Sequence, residues 1–543
     1  MPQCYRHDVV AAPSAEVLSV EVVQTGVIRV ETADSTFECR YPAAGAAAPG
    51  PPRTSAFAPT WVGDLDGDGN DESVQVIPQD PAGALTIEQA DGTRRVAPQR
   101  FAYVESLDVH DGRILVGEGV AREGGVPLNR MPRLLVYDDV EACIAGAATV
   151  VDVGNGYSGA HFVDVDGDGA VEILGFSRRS PAEVYVFKSV ERPLYSHAHR
   201  TLDSRKLPST DLFVADVDGD GLVDIVSGRK WYQAPDWTPH TLPGVSQAIA
   251  AADIDGDGAL EIVATEGENL SNRLCLLDRT ADGWSVSPIG VADADWPHGA
   301  AAVGAGSAVG PCVLTAYHRR DLHAPQVWRP ANGAAPPWSK STLAEISYGE
   351  EMVVVDLDGD GVEEIVAGPW WLKLDGERWT PYRIADSTYT DVTRCRVADV
   401  DGDGRLDVVV SEEGGDWPRK IIFSGRITWF EQPNDPREAW TEHVVAIRTC
   451  PHSLDVYDVD GDGEVEIVVG EHDPFTPEGA ETFCRLSIFK RVLPGGEIWS
   501  EHVVDTRFEH HVGARALPLE DGTVALISQG WKEPRDLHMW TPA

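Results

Sequence analysis

Short apolar runs rich in Val and Ile recur along the chain in pairs, and each pair brackets a polar loop. VVVD (353–356), FVAD (213–216) and DVYD (455–458) enter such loops, and EIVVG (466–470), DIVSG (224–228) and EIVAG (364–368) leave them. Runs of this length and composition, bounded by Gly and Asp, predict strands, so each pair predicts a hairpin. A third run often follows, as in RLLVYDD (133–139) and RITWFEQ (426–432). Then comes an aromatic-led fourth: WTPHTL from Trp237, WSKSTL from Trp338, WTPYRI from Trp379, WTEHVV from Trp440 and WSEHVV from Trp499. These tryptophans read as packing between units. No stretch shows a helical period. Four strands per unit predict the blade of a β-propeller, and with it an all-β fold.

The string D-x-D-G-D-G occurs seven times, with intervals of 100, 52, 37, 103, 43 and 59 residues. The two long intervals each hide a decayed copy, LDVHDGRILVG (107–117) and AVGAGSAVGPCVLTA (302–316), and ARALPLEDGTVALIS (514–528) is a third. Ten units with a period of about 49 residues result, close to the periods of known propeller blades. EVLSVEVVQTGVIRVET (16–32) could be an eleventh. The expected organisation is one propeller domain over 1–543, of seven to ten blades. Residues 11–56 form an irregular or partial blade with an Ala/Gly/Pro linker at 43–52, 57–157 give two blades, and 158–543 give eight further units. The last unit lacks an aromatic-led fourth strand. CYRHDVV (4–10) matches WTEHVV, so the N-terminal strand is expected to close the ring.

Each acidic loop places carboxylates at positions 1, 3, 5 and 9, with Gly at 6 for the sharp turn. The sets are Asp64, Asp66, Asp68 and Glu72; Asp164, Asp166, Asp168 and Glu172; Asp216, Asp218, Asp220 and Asp224; and Asp253, Asp255, Asp257 and Glu261. The remaining three are Asp356, Asp358, Asp360 and Glu364; Asp399, Asp401, Asp403 and Asp407; and Asp458, Asp460, Asp462 and Glu466. Such loops surround one hard cation, and calcium is expected in up to seven of them. An EF-hand would need a bidentate Glu at position 12, where the last loop has Val469. Seven copies of one site read as structural staples for the hairpins rather than as catalytic or sensing sites.

Composition narrows the function. Lys and Arg number 44 against 88 Asp and Glu, a net charge of −44. That balance excludes a nucleic-acid groove as the default and disfavours an anionic membrane surface. No apolar run is long enough to cross a membrane as a helix. The eight cysteines (Cys4, Cys39, Cys143, Cys275, Cys312, Cys395, Cys450 and Cys484) are scattered without a CxxC and read as free, buried thiols. No basic-then-apolar leader stands at the N-terminus, which points to a cytoplasmic protein, with secretion as the alternative.

Segments such as DVDGDGEVEIVVGEH and DVDGDGRLDVVVSEE resemble the FG-GAP/VCBS repeat family, whose repeats build integrin-type β-propellers. The resemblance covers nearly the whole chain. It implies calcium loops between first and second strands on one face of the ring, and a family of adhesins, lectins and carbohydrate-active lyases. The propellers of aldos-2-ulose dehydratase and of polysaccharide lyases are more distantly similar.

The opposite face is then made by residues just before first strands and just after second strands. Before first strands lie His161, Asp211, Gln247, His298, Glu350, Glu351, Arg394, His452, His510 and His511. After second strands lie Arg178, Arg179, Arg229, Lys230, Trp231, Tyr232, His318, Arg319, Arg320, Trp370, Trp371, Glu412, Glu471, His472, Trp531 and Lys532. Seven of the sixteen histidines fall here. Histidine suits general base chemistry near neutral pH, Arg and Lys neutralise carboxylates, and Trp offers a platform for sugar rings. These residues differ from unit to unit, which points to one asymmetric site. The reading is a carbohydrate lyase or dehydratase acting by β-elimination on an anionic or keto sugar, with a sugar-binding lectin or adhesion module as the alternative. His510 or His511 is the expected base. His452 or His472 would assist or hold a further divalent metal, and Arg319, Arg229 and Lys532 would hold the anion. Trp231, Lys230, His298, His318, Trp370, Trp371, Trp531 and His161 would line the substrate site.

Overall fold

The computed structural model describes residues 4–11, 17–24, 27–32, 35–41, 60–77, 83–101, 104–119, 122–123, 126–127, 132–153, 156–177, 183–190, 195–204, 211–267, 270–281, 283–318, 323–332, 335–346, 348–376, 378–385, 393–416, 421–422, 424–473, 475, 484–493, 497–531 and 535–543. The Ala/Gly/Pro linker at 43–52 lies outside them. The described residues are almost all strand. The one helix among them, Val140–Ala145, is a single capped turn: Asp139 Oδ1 accepts from Ala142 N at 2.7 Å. None is long and apolar enough to cross a membrane.

All ten repeat hairpins are present as antiparallel pairs, including the three decayed copies. The chain divides into two compact units, where the sequence suggested one domain. Unit 1 holds Met1–Leu194, Val445–Arg448 and Lys490–His502, and unit 2 holds the rest.

In unit 1, Thr60–Phe101 and Val104–Val153 supply one four-stranded sheet each. A three-stranded sheet, Val17–Gln24, Val27–Thr32 and Thr36–Arg40, stands where an eleventh unit was considered. Strand Cys4–Ala11 runs antiparallel to Val184–Val190 and pairs through His7–Val9 with Trp499–Glu501. Arg448 is buried between two carboxylates of this unit. Its Nη1 donates to Glu183 Oε2 at 2.8 Å and its Nη2 to Glu501 Oε2 at 2.7 Å.

In unit 2, sheets follow one another along the chain, and their first strands are Leu212–Ala215, Val245–Ala252, Pro297–Val303, Val353–Val355, Thr393–Ala398, Pro451–Tyr457 and Val512–Pro518. Each of these strands packs against the next, and Val512–Pro518 packs back against Leu212–Ala215. The fourth strand of the last sheet is His197–Asp203, paired with Leu537–Pro542. This corrects the expectation that Cys4–Val10 would fill that edge. The fourth-strand signature is one aromatic or His followed by β-formers, and HAHRTLD carries it as well as RHDVV does.

Apolar residues from neighbouring sheets fill the spaces between them. Val366 and Trp371 of the fourth sheet meet Val408, Val410, Phe430 and Trp440 of the fifth in one buried cluster. Trp237 and Trp379 are buried in equivalent clusters, and Trp338 packs against another, so the aromatic-led strands do pack between sheets.

Candidate functional site

The seven acidic loops share one geometry. The ninth acid is buried and accepts from the backbone N–H of position 2: Glu72 from Leu65, Glu172 from Val165, Asp224 from Val217, Glu261 from Ile254, Glu364 from Leu357, Asp407 from Val400 and Glu466 from Val459. The first Asp caps the turn; Asp64 accepts from Gly67 N at 2.8 Å and Gly69 N at 3.0 Å. Gly67 and Gly69 have φ of 79° and 87°, which explains glycine at both places. In Asp64, Asp66 and Glu72, as in Asp253, Asp255 and Glu261, the candidate ligand atoms lie within 4.8 Å of one another. Glu261 Oε1 and Asp218 Oδ1 are buried and, among the described residues, have no hydrogen-bond partner. Burial, reinforced by Asp255 and Asp257, pushes Glu261 up to about 7. Orphaned, uncompensated oxygens of this kind fit a cation, so these clusters could bind a metal ion.

The second feature lies in unit 2, where three buried histidines at the starts of first strands, His298, His452 and His511, meet His472, which follows the second strand Glu466–Glu471. Glu350 Oε2 stands 2.9 Å from both His298 Nδ1 and His452 Nε2. His452 Nδ1 is 2.9 Å from the His511 carbonyl oxygen. The His452 and His511 rings stack at 4.1 Å, and His472 meets His511 edge-on at 4.2 Å. His472 is clamped, with Nδ1 at 2.7 Å from Glu413 Oε1 and Nε2 at 3.0 Å from Glu509 Oε1. Trp296, His318 and Trp531 edge the cluster. Trp296 stacks on His318 at 4.6 Å and lies 6.4 Å from Trp531 at an angle of 15°. Trp531 is 5.4 Å from His511. Trp296 and Trp531 are partly exposed and His318 is exposed, so this edge meets solvent.

Electrostatics divide the histidines. Burial pushes His298 down to about 4 despite Glu350. Burial, then the neighbouring His452, His472 and His298, hold His511 well below its ordinary range, so it is neutral. His511 Nδ1 is buried and, among the described residues, has no hydrogen-bond partner. For His472 burial opposes charge, but Glu509 and Glu413 outweigh it and raise its pKa to about 9. This raised value contributes stability that is fully present below the unfolded pKa of about 6.5. The contribution is lost as pH rises through about 9. An NMR titration of the His472 ring should show this late midpoint, and Glu413→Gln should bring it down.

Behind the histidines runs a buried ion network. Glu351 accepts from Arg396 Nη1 at 2.8 Å and from Arg515 Nη2 at 2.5 Å. Arg396 Nε donates to Asp455 at 3.0 Å, and Arg394 Nη2 lies 3.5 Å from Glu350. Burial opposes the charge of Glu351, but Arg396, Arg515 and Arg394 hold its carboxyl well below the usual range. Gly299 makes the join tight: a Cβ there would fall 1.7 Å from the Glu350 carbonyl oxygen. Gly299→Ala is expected to cost about 1–3 kcal/mol, read from the denaturation midpoint.

Of the residues expected from sequence, the structure brings together His298, His318, His452, His472, His511 and Trp531. The others lie elsewhere. His510 points away from the cluster, as alternate residues of an extended segment must. Its Nδ1 lies 2.6 Å from Ser528 Oγ, and its ring meets Trp540. Trp231 stacks on His240 at 4.4 Å, and Trp371 stacks on Tyr382 at 4.6 Å; both are buried core. Trp370 lies under the Arg383 guanidinium. Lys230 pairs with Asp203 at 2.7 Å. Arg229 is an exposed turn residue. His161 belongs to unit 1, 3.8 Å from Asp108. Arg319 and Lys532 lie outside the described residues. The sequence reading missed Trp296, Glu413, Cys450, Glu509, Arg396, Asp455 and Arg515. Each lies within four residues of a position that was named. Glu413, Cys450 and His472 could themselves hold a metal, with ligand atoms within 4.8 Å. Burial, then Glu413, pushes the Cys450 thiol far up, so it stays protonated without one.

No protein-family model matches the chain, and no curated protein does. Among solved structures it is similar to rhamnogalacturonan lyase YesW at 13% identity, over 82% of this chain and 91% of that one, with a TM-score of 0.34. It is similar to the exotype rhamnogalacturonan lyase YesX at 13% identity, over 81% and 90%, with a TM-score of 0.33. The Photorhabdus luminescens Tc holotoxin pore follows at 12% identity, over 96% and 25%, with a TM-score of 0.30. Likeness at these scores carries no argument about activity.

Proposed function

We propose that unit 2 is a seven-bladed propeller, closed by strand His197–Asp203, that catalyses β-elimination on an anionic or keto sugar at the histidine cluster. Calcium in the acidic loops staples its hairpins. His511 is the base. It takes the hydrogen α to the substrate's carboxylate or keto group, and the electron pair left on carbon expels the oxygen on the β carbon. Protonated His511 returns the proton to that oxygen. The charge that develops on the carbonyl oxygens is met by the His472 imidazolium and by Arg394. Trp296 and Trp531 give the sugar a flat apolar wall.

The observation that carries this reading is the buried, unpartnered Nδ1 of a neutral His511 beside a charged His472. Groups whose pKa values are driven apart in one pocket suit an acid–base pair. The parallel Trp296 and Trp531 rings favour a second reading, a lectin site without chemistry. Incubation with uronate glycans and keto-sugars separates the two. A lyase yields unsaturated products, whereas a lectin only gains thermal stability from the sugar.

A further inference from the structure

The seven acidic loops are not equivalent. In each hairpin the ninth acid faces one residue of the third strand, because Ile173 pairs with Phe187, Ile262 with Leu277 and Ile365 with Leu372. The next positions along those ladders are Lys188, Asp278 and Lys373. Lys188 Nζ reaches into its loop, 2.5 Å from Asp166 Oδ2, 2.8 Å from Asp168 Oδ2 and 3.6 Å from Glu172 Oε1. Lys373 Nζ does the same, bonding Asp358, with Asp360 Oδ2 at 2.7 Å and Glu364 Oε1 at 3.1 Å. Each ammonium thus touches the acids of positions 3, 5 and 9.

In loop 253–261 the same place holds a carboxylate. Asp278 follows Leu277, the partner of Ile262, so the register sets it across the ladder from Glu261. There Glu261, 1% exposed, keeps Oε1 without a hydrogen-bond partner among the described residues.

An ammonium donates three hydrogen bonds and accepts none, so it cannot ligate a metal. A calcium ion needs the same oxygens at about 2.3–2.6 Å, where a lysine charge would sit within a few ångströms of it. The two cations exclude each other. We infer that Lys188 and Lys373 are built-in cations that replace calcium in loops 164–172 and 356–364, while Asp278 makes loop 253–261 a tight calcium site. The inference rests on the calcium reading of the loops. It makes the hairpins of loops 164–172 and 356–364 stapled without the metal.

The test is calcium stoichiometry by equilibrium dialysis on the full chain, free of chelator. Lys188→Gln and Lys373→Gln are each expected to add one bound calcium per chain, and the double variant two. Asp278→Asn is expected to weaken one site by about tenfold, the worth of one charge removed at close range. Thermal melting with and without calcium checks folding. The lysine variants should melt near the parent in calcium and well below it in chelator. An unchanged stoichiometry in a folded double variant would overturn the inference. Calcium binding to neither parent nor variant would overturn the metal reading of the loops as well.

Discussion

His511→Ala is expected to lower the rate of elimination by about 10²–10⁴-fold, the usual worth of a positioned general base. His510→Ala should leave the rate within a few fold. The two residues are adjacent, and both are buried and hard to protonate. They differ in direction. His511 stacks on His452 and touches Trp531 at the solvent edge of the cluster. His510 turns its Nδ1 to Ser528 and packs its ring against Trp540, away from the cluster. A loss confined to kcat for His511→Ala, with substrate still bound, would mark a base rather than a binding group. Equal losses in both variants would mean that the segment matters only for folding.

Glu351→Ala is expected to cost about 3–5 kcal/mol, because removing one partner leaves buried charges uncompensated. Glu351 meets Arg396 and Arg515 directly and stands 3.5 Å from Arg394. Its carboxyl is depressed, so its contribution is present above the unfolded pKa of about 4.3. It is lost as pH falls further, through the depressed value. Denaturant unfolding of parent and variant should therefore differ most near neutral pH and converge in strong acid. A neutral cost at pH 7 would show that the arginines find other partners. Because Arg394 and Glu350 link this network to His298 and His452, the variant should also lose activity.

Much of the fold is legible in the sequence because the repeat is chemical as well as periodic. The D-x-D-G-D-G strings mark each hairpin turn, and even the decayed copy with Asp108 and Asp111 folds as one. Strand pairing at the edges is not legible, since CYRHDVV and HAHRTLD carry the same alternation and local sequence does not say which edge each meets. The site was half legible for a related reason. Residues after a second strand were taken to face the pocket. In the first and fourth sheets a tight Gly turn, Gly228 or Gly368 with φ of 58° or 64°, starts the third strand at once. Trp231 and Trp371 then alternate into the core. Where the connection is longer, as after Glu412, Glu471 and Gln529, the residues Glu413, His472 and Trp531 leave the ladder and reach the histidines. Loop length, rather than residue type, decides between packing and function. The inward positions of first strands, Arg396, Asp455 and Arg515, are polar residues in apolar runs, a signal that was present and not used.

The central claim is that unit 2 breaks a carbon–oxygen bond without adding water. The most direct measurement follows ultraviolet absorbance and product mass while the full chain acts on a panel of uronate glycans, keto-sugars and anhydro-sugars. The account predicts a new absorbing, unsaturated product that His511→Ala fails to form, with product masses that show no water added to the substrate. Products without new absorbance whose masses together exceed the substrate by one water would contradict it in favour of hydrolysis. Sugars that raise the melting temperature without any product would contradict it in favour of a lectin.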